Sequence, residues 1–217
     1  MSTKAKTRSH ASPKNKLTRN QLPSTNKISE DAISTTLGLR IKALRTQREL
    51  TLEELSQRSS VSRAMLSTVE RGEKSPTLPI IIRIAGGLEC SLSTLLGAQP
   101  NQSGVALIRA HERLFFRDPN TGFERWVLSP SHLDNGFEFV LHRIPPGQST
   151  GLLPPYSVPT EKYISVSEGQ LTIYIDKSPH ILNAGDSIYF AVNSPYCFAN
   201  NDDRLACCYY MNIIRKL

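Results

Sequence analysis

The 217 residues lack most of what would tie the chain to a membrane or to thiol or metal chemistry. No stretch approaches the roughly 18 consecutive apolar residues of a membrane span, and the basic start lacks the apolar run that a secretory signal needs. Cys90, Cys197, Cys207 and Cys208 form no CxxC pair, which excludes a zinc ribbon or a dithiol redox motif; a reducing cytoplasm is the expected setting. Cys207 and Cys208 are adjacent on an expected strand, so they should face opposite ways as small buried hydrophobes. His111, His132, His142 and His180 show no mutual spacing, and no Ser, His, Asp set stands out; no catalytic residue, metal ligand or cofactor is expected. Acid is missing from residues 1–29, where Lys4, Lys6, Arg8, Lys14, Lys16, Arg19 and Lys27 give +7. Beyond them basic and acidic residues cancel at 19 each, so the high isoelectric point belongs to the start of the chain.

The most informative stretch is Thr51 to Gly72, TLEELSQRSSVSRAMLSTVERG. Thr51 and Glu54 form a capping box, which predicts a helix from Leu52 to about Arg58. Ser59, Ser60 and Val61 break it. Ser62 can cap a second helix from Arg63 to Arg71, with Gly72 at the left-handed stop. Winding that helix at about 100° per residue puts Arg63, Ala64, Ser67, Thr68 and Arg71 on one slim, partly cationic face, and Met65, Leu66, Val69 and Glu70 on the other. A carboxylate on a core face needs a partner. Arg45, beside the Leu37, Ile41, Leu44 stripe of the preceding helix, is the candidate.

From Leu37 to Gly97 these residues resemble the Xre-type helix-turn-helix domain of phage repressors and Cro, most closely over SRAMLSTVERGEKSPTLPIIIRIAGGLECSLSTLLG. The resemblance implies that the second helix of the motif enters the major groove of double-stranded DNA while the helix before it crosses the backbone. It implies base reading by Arg63, Ala64, Ser67 and Thr68, and backbone contacts from Thr51, Leu52, Arg71, Lys74, Ser75 and Thr77. It also implies an internal Arg45–Glu70 ion pair. The stretch 37–97 carries nine basic against six acidic residues, a modest excess that suits a polyanionic partner.

In chain order, residues 1–34 are expected to be a disordered basic tail, either an arm that adds phosphate contacts or a solvated tail. Residues 35–98 form the helical domain, with helix one over about Leu37 to Glu49, helix four capped by Thr77, and a last short helix over Leu92 to Leu96 capped by Ser91. Residues 99–104 read as a linker. Residues 105–217 change to short apolar runs broken by Pro, Gly and Asn, with strands expected at 105–109, 113–116, 124–128, 137–144, 162–166, 171–175, 187–190, 196–199 and 205–212; this spacing argues for a sandwich or small barrel.

Within that part, PPGQSTG, TEKYISVSEGQLTIYI and LNAGDSIYFAVNSPYCFAN carry Gly147, Glu161 or Lys162, Gly169, Gly185, Asp186 and Asn200, an order that resembles the paired motifs of the cupin jelly roll. The fold class is therefore α plus β: a five-helix repressor-like domain followed by an all-β cupin barrel. Cupin enzymes usually hold a divalent metal with three histidines and a glutamate. Here Tyr196 stands where a histidine is expected and Lys162 where the glutamate is expected, so neither a metal site nor enzyme activity is expected. If Ile164 and Val166 point inward, alternation puts Lys162 inside and Glu161 and Tyr163 outside. A lysine there is either paired internally or available to an anionic small molecule, with Tyr196 and Arg143 as further donors. A one-residue slip would place Glu161 inside and favour a cationic ligand.

The reading is a sequence-specific DNA-binding transcriptional regulator, a homodimer on a palindromic operator, with a metal-free barrel that answers to a small molecule. The alternatives are a barrel that serves only dimerisation, and a cupin enzyme with a DNA-binding autoregulatory domain. If the tail is an arm, deleting residues 1–29 weakens binding to every DNA sequence and lowers the slope of log affinity against log salt. A salt titration of binding reads this, and an unchanged slope marks a solvated tail.

Overall fold

The structure is a computed structural model that describes residues 30–99, 105–130 and 136–216. Of the tail expected over 1–34, residues 1–29 lie outside the described residues, as do most of the linker and His132, while residues 30–34 belong to a helix. Five helices come first: α1 Glu30–Gln47, α2 Leu52–Ser59, α3 Arg63–Glu70, α4 Leu78–Gly87 and α5 Leu92–Leu96. Nine strands follow: β1 Phe115–Arg117, β2 Glu124–Val127, β3 Phe137–Ile144, β4 Thr160–Glu168, β5 Gln170–Ile175, β6 Ser178–Asn183, β7 Ser187–Ala191, β8 Tyr196–Ala199 and β9 Cys207–Arg215. Among the described residues no helix is long and apolar enough to cross a membrane.

The helices wrap one core made of Leu37, Ile41, Leu55, Leu66, Val69, Ile81, Ile84, Leu88 and Leu95, all buried. Helix α1 approaches the end of α3 so closely that a Cβ on Gly38 would lie 2.3 Å from the Val69 carbonyl oxygen; only glycine fits this crossing. Helix α1 begins at Glu30 and ends at Gln47, earlier at both ends than the periodicity predicts. Residues 30–36 contain no Pro or Gly to stop it, and Glu49 adopts a left-handed backbone (φ 56°) that closes it.

The strands form a six-stranded sheet in the order β1-β2-β3-β9-β4-β7 and a three-stranded sheet in the order β6-β5-β8, with all named pairs antiparallel. The inward positions of β4, β3 and β9 alternate with outward ones: Lys162, Ile164 and Val166 are buried while Tyr163 and Ser165 are exposed. Cys207 and Cys208 are both buried, and burial raises their thiols to about 12 and about 11.

Two strand expectations differ from the structure. Residues 105–109 belong to neither sheet; they lead into a 3-10 turn at Ala110–Glu112, and Ala106, Leu107 and Ile108 line, with Gly97, Ala98 and Leu114, a cleft where the helices meet the strands. Strand β6 went unpredicted because it holds Pro179 and buries only Leu182. It is an edge strand, where proline is tolerated.

The helical and β parts are tied by two buried carboxylates. Thr77 makes no side-chain capping bond at the start of α4, contrary to the expectation for that residue. Asp118, from the turn after β1, takes the place: its Oδ2 accepts from Leu78 N at 2.6 Å, and its Oδ1 accepts from Asn120 N and Thr121 N. A carboxylate outcompetes a hydroxyl for a helix N-terminus because it answers both the free N–H groups and the helix dipole. Glu138 on β3 likewise accepts from Ser93 N, in the first turn of α5, at 2.9 Å. Replacing Asp118 with Ala leaves three N–H groups without this partner and is expected to lower unfolding free energy by about 1 to 3 kcal/mol, measured by denaturant titration of the full chain.

Candidate nucleic-acid interface and barrel interior

The motif forms from local signals. Thr51 N donates to Glu54 Oε2 at 2.7 Å and Glu54 N donates to Thr51 Oγ1 at 3.1 Å, which fixes the start of α2. Ser60 (φ 52°) turns the chain. Ser62 Oγ accepts from Met65 N at 3.3 Å, and Gly72 (φ 72°) ends the second helix. Leu66, Val69 and Glu70 are buried, whereas Arg63 and Ala64 are exposed and Ser67 and Thr68 half-buried.

Glu70 is paired: Arg45 Nε donates to its Oε1 at 2.7 Å and Arg45 Nη2 to its Oε2 at 2.9 Å, while Arg45 Nη1 donates to Leu50 O. This two-pronged geometry pins α3 to α1, because rotating either helix would strand a charge in the core. The outward polar groups of α3 are less free than the sequence suggests. Thr68 Oγ1 donates back to Met65 O at 2.8 Å. Arg71 donates to both oxygens of Glu73 and to Ser67 Oγ. Lys74 is exposed, with Ser75 and Thr77 half-buried beside it. Arg63 and Ala64 thus lead the exposed face, a slim surface of the kind that enters a major groove.

In the barrel, Lys162 is buried and its Nζ donates to Tyr196 Oη at 2.7 Å. The ammonium lies 4.3 Å from the Tyr196 ring centroid and 5.3 Å from those of Tyr156 and Phe198. Burial lowers its pKa, and the neighbouring Tyr156 phenol opposes that shift. Glu161 and Arg143, expected as further pocket residues, sit outside. Alternation turns Glu161 outward, where it pairs with Lys216 at 2.5 Å, and Arg143 pairs with Glu124 at 3.1 Å on the face opposite His142.

The groups that surround Lys162 were missed by sequence reasoning. Glu138 Oε1 accepts from Arg125 Nη2 at 3.2 Å and its Oε2 from Arg215 Nη2 at 2.7 Å. Burial alone would raise this carboxyl, but Arg125 and Arg215 hold it well below the usual carboxylate range. Arg125 Nη1 lies 3.1 Å from His142 Nε2, and His142 Nδ1 lies 3.0 Å from Tyr209 Oη. Since arginine only donates, Nε2 accepts and Nδ1 carries the proton toward Tyr209. Strand parity carried a signal for some of them: Glu138 and His142 share the inward parity of Val140 and Ile144, and Arg125 stands opposite His142 in register.

Among the described residues this cluster holds three buried or largely buried cations, Arg125, Lys162 and Arg215, against one carboxylate, Glu138. Arg125 Nε is buried with no hydrogen-bond partner. A divalent cation does not fit here. Among the described residues the inward histidine, His142, already uses both nitrogens, on Arg125 and Tyr209, and no group of three His, Cys, Asp or Glu could hold a metal ion. The interior chemistry suits an anion instead.

The geometry defines a protein with a groove-sized helix on one part and a β-barrel with a cationic interior on the other. Comparison with known proteins places both parts. Residues 41–95 match the helix-turn-helix family model and residues 140–212 match the cupin domain model. The chain is 29% identical over 179 residues to the HTH-type transcriptional regulator SutR of Escherichia coli (strain K12), a match that covers 77% of this chain and 89% of that protein. It is 36% identical over 64 residues to the immunity repressor protein of Bacillus phage phi105, covering 30% of this chain and 44% of the repressor. The crystal structure of an HTH_3 family transcriptional regulator from Vibrio cholerae aligns over 87% of this chain and 99% of its own at a TM-score of 0.71 and 26% identity. The chain joins a helix-turn-helix domain to a cupin domain, the composition of a DNA-binding transcriptional regulator.

Burial, with the Arg125 and Lys162 charges beside it, holds the His142 imidazole neutral well below its ordinary value. The unfolded imidazole still takes up a proton near pH 6.5, so His142 stabilises the fold fully above that pH, and its contribution is lost as pH falls below it. Stability is expected to drop by up to about 1.4 kcal/mol per pH unit from this group below about pH 6.5. Denaturant titrations across pH read the slope, and His142→Gln flattens this part of it.

Proposed function

We propose that the protein is a sequence-specific regulator that binds a roughly palindromic operator as a homodimer in the cytoplasm, reads bases with α3, and senses a small anion inside its barrel. The base-reading set is Arg63, Ala64, Ser67 and Thr68; Thr51, Leu52, Arg71, Lys74, Ser75 and Thr77 face the DNA backbone. The observation that carries this reading is the division of α3: Leu66, Val69 and the paired Glu70 are buried, so the Arg63, Ala64 face is the one left for a groove. A helix of eight residues spans few base pairs, and joining two of them in one dimer makes the second contact effectively intramolecular. The outward face of the large sheet, where the tilted rings of Tyr163 and Tyr189 meet at 4.8 Å and Phe139 stacks on Tyr210 at 5.9 Å, suits a second copy of the chain.

The barrel is a sensor in this proposal because its cations outnumber its carboxylates. Lys162, with Tyr196 as donor, marks the anion site, and Tyr156 takes the role expected of Arg143. It is half-buried on the loop 151–159 and is the shallowest of the rings around Lys162. Among the described residues no inward set pairs a nucleophile with a free base, and the barrel is assigned no reaction in this proposal. A second reading, a barrel that serves only dimerisation, draws on the bulk of Tyr196, Tyr209, Phe123 and Phe198, all fully buried.

Arg63→Ala is expected to lose about 1 to 3 kcal/mol of discrimination between a selected operator and random DNA while nonspecific binding stays near the wild-type level. Competition binding at fixed salt reads it. Unchanged discrimination places the reading face elsewhere.

A further inference from the structure

Glu138 belongs to two structures at once. On one side it is, among the described residues, the one carboxylate of the barrel cluster, held by Arg125 and Arg215. On the other its Oε1 accepts from Ser93 N in the first turn of α5, while Arg125 Nη2 also donates to Ser93 Oγ at 3.2 Å. The route to Lys162 is short: the Arg215 guanidinium lies 5.1 Å from the Tyr156 ring centroid and the Lys162 ammonium 5.3 Å from the same ring. Beyond α5 the route goes on through charged contacts. Arg40 of α1 donates to Leu96 O at the end of α5, and Arg45 of the same helix holds Glu70 of α3.

We infer that Glu138 is the relay between the barrel interior and the DNA-reading helices, because the guanidiniums an anion at Lys162 would recruit are the ones that hold Glu138 on α5. A buried carboxylate keeps its charge only while cations face it. An anion beside Lys162 competes with Glu138 for Arg215 and Arg125, and the carboxylate that loses them loses its place against Ser93 N. The two arrangements are therefore guanidiniums committed to Glu138, with its bond to Ser93 N kept beside the Ser91 cap of α5, and guanidiniums shared with the ligand, with that bond loosened. An effector acts by favouring one of them. This relay rests on the anion reading above, and its test separates the two.

The test is amide hydrogen exchange of the full chain, followed on residues 91–97, in sodium sulfate and in sodium chloride of equal ionic strength, with calorimetry to score sulfate binding. Glu138→Gln is the informative variant: its carbonyl can still cap Ser93 N, but it carries no charge for the arginines. If that variant does not fold, Arg215→Gln replaces it. The expected result is that sulfate speeds exchange at Ser93 roughly fivefold in the wild type, the equivalent of one lost cap, and has no such effect in the variant although it still binds. Sulfate binding that leaves α5 unchanged, or changes it equally in the variant, overturns the relay and leaves the anion site standing. If sulfate does not bind, the anion reading loses its support and Lys162→Met decides the relay. A shift in α5 exchange that vanishes when Glu138→Gln is added supports it, and no shift overturns it.

Discussion

A carboxylate cut off from water must be matched by positive charge or by hydrogen-bond donors, and Glu138 is matched from two domains. Arg125 and Arg215 reach it from the barrel, and Ser93 N reaches it from the helices. With Asp118 on Leu78 N, side chains from the β part accept first-turn N–H groups of two helices, α4 and α5, the second of which also keeps Ser91 as its own cap. The consequence is mechanical. The helical head is not a bead on a string, since moving it away would expose or strand groups that cost several kcal/mol each to leave unmatched.

The same logic operates once more inside the head. Glu70 would be a defect on the buried face of α3 without Arg45, and with it the pair sets the rotation of α3 against α1. That rotation decides which side chains remain outside. Arg63 and Ala64 are exposed because Leu66 and Val69 are not. The face proposed to read DNA is thus set by how one short helix hides its apolar side, and the electrostatic pair opposes a slip that would exchange the faces.

How much of this can be read from residue order depends on whether the partners are near in sequence. Caps and turns are local, so Thr51 with Glu54, Ser62 and Gly72 announce the helix-turn-helix directly. Strand parity is local too, and it puts Lys162 inside and Glu161 outside. The cap of α4 was not legible: Thr77 is the residue at the right place, yet Asp118, 40 residues on from Leu78, takes the bond to Leu78 N. Glu138, Arg125 and Arg215 are ordinary strand residues until β3 meets β2 and β9, and parity along β3 puts Arg143 on the face opposite His142, away from the interior. Residues 105–109 have the texture of a strand but belong to neither sheet.

These pieces give one account of function. The helical head presents a slim helix face led by Arg63 and Ala64, the barrel behind it buries Arg125 and Lys162, and in the proposal the Glu138 carboxylate shared by both is the link between them. DNA recognition by α3 is the claim on which the others rest. The most direct measurement is repeated selection of random duplex DNA by the full chain at moderate ionic strength. The account predicts enrichment of one twofold-symmetric sequence with half-sites about one helical turn apart, and recovery of DNA with no preference over random competitor would contradict it.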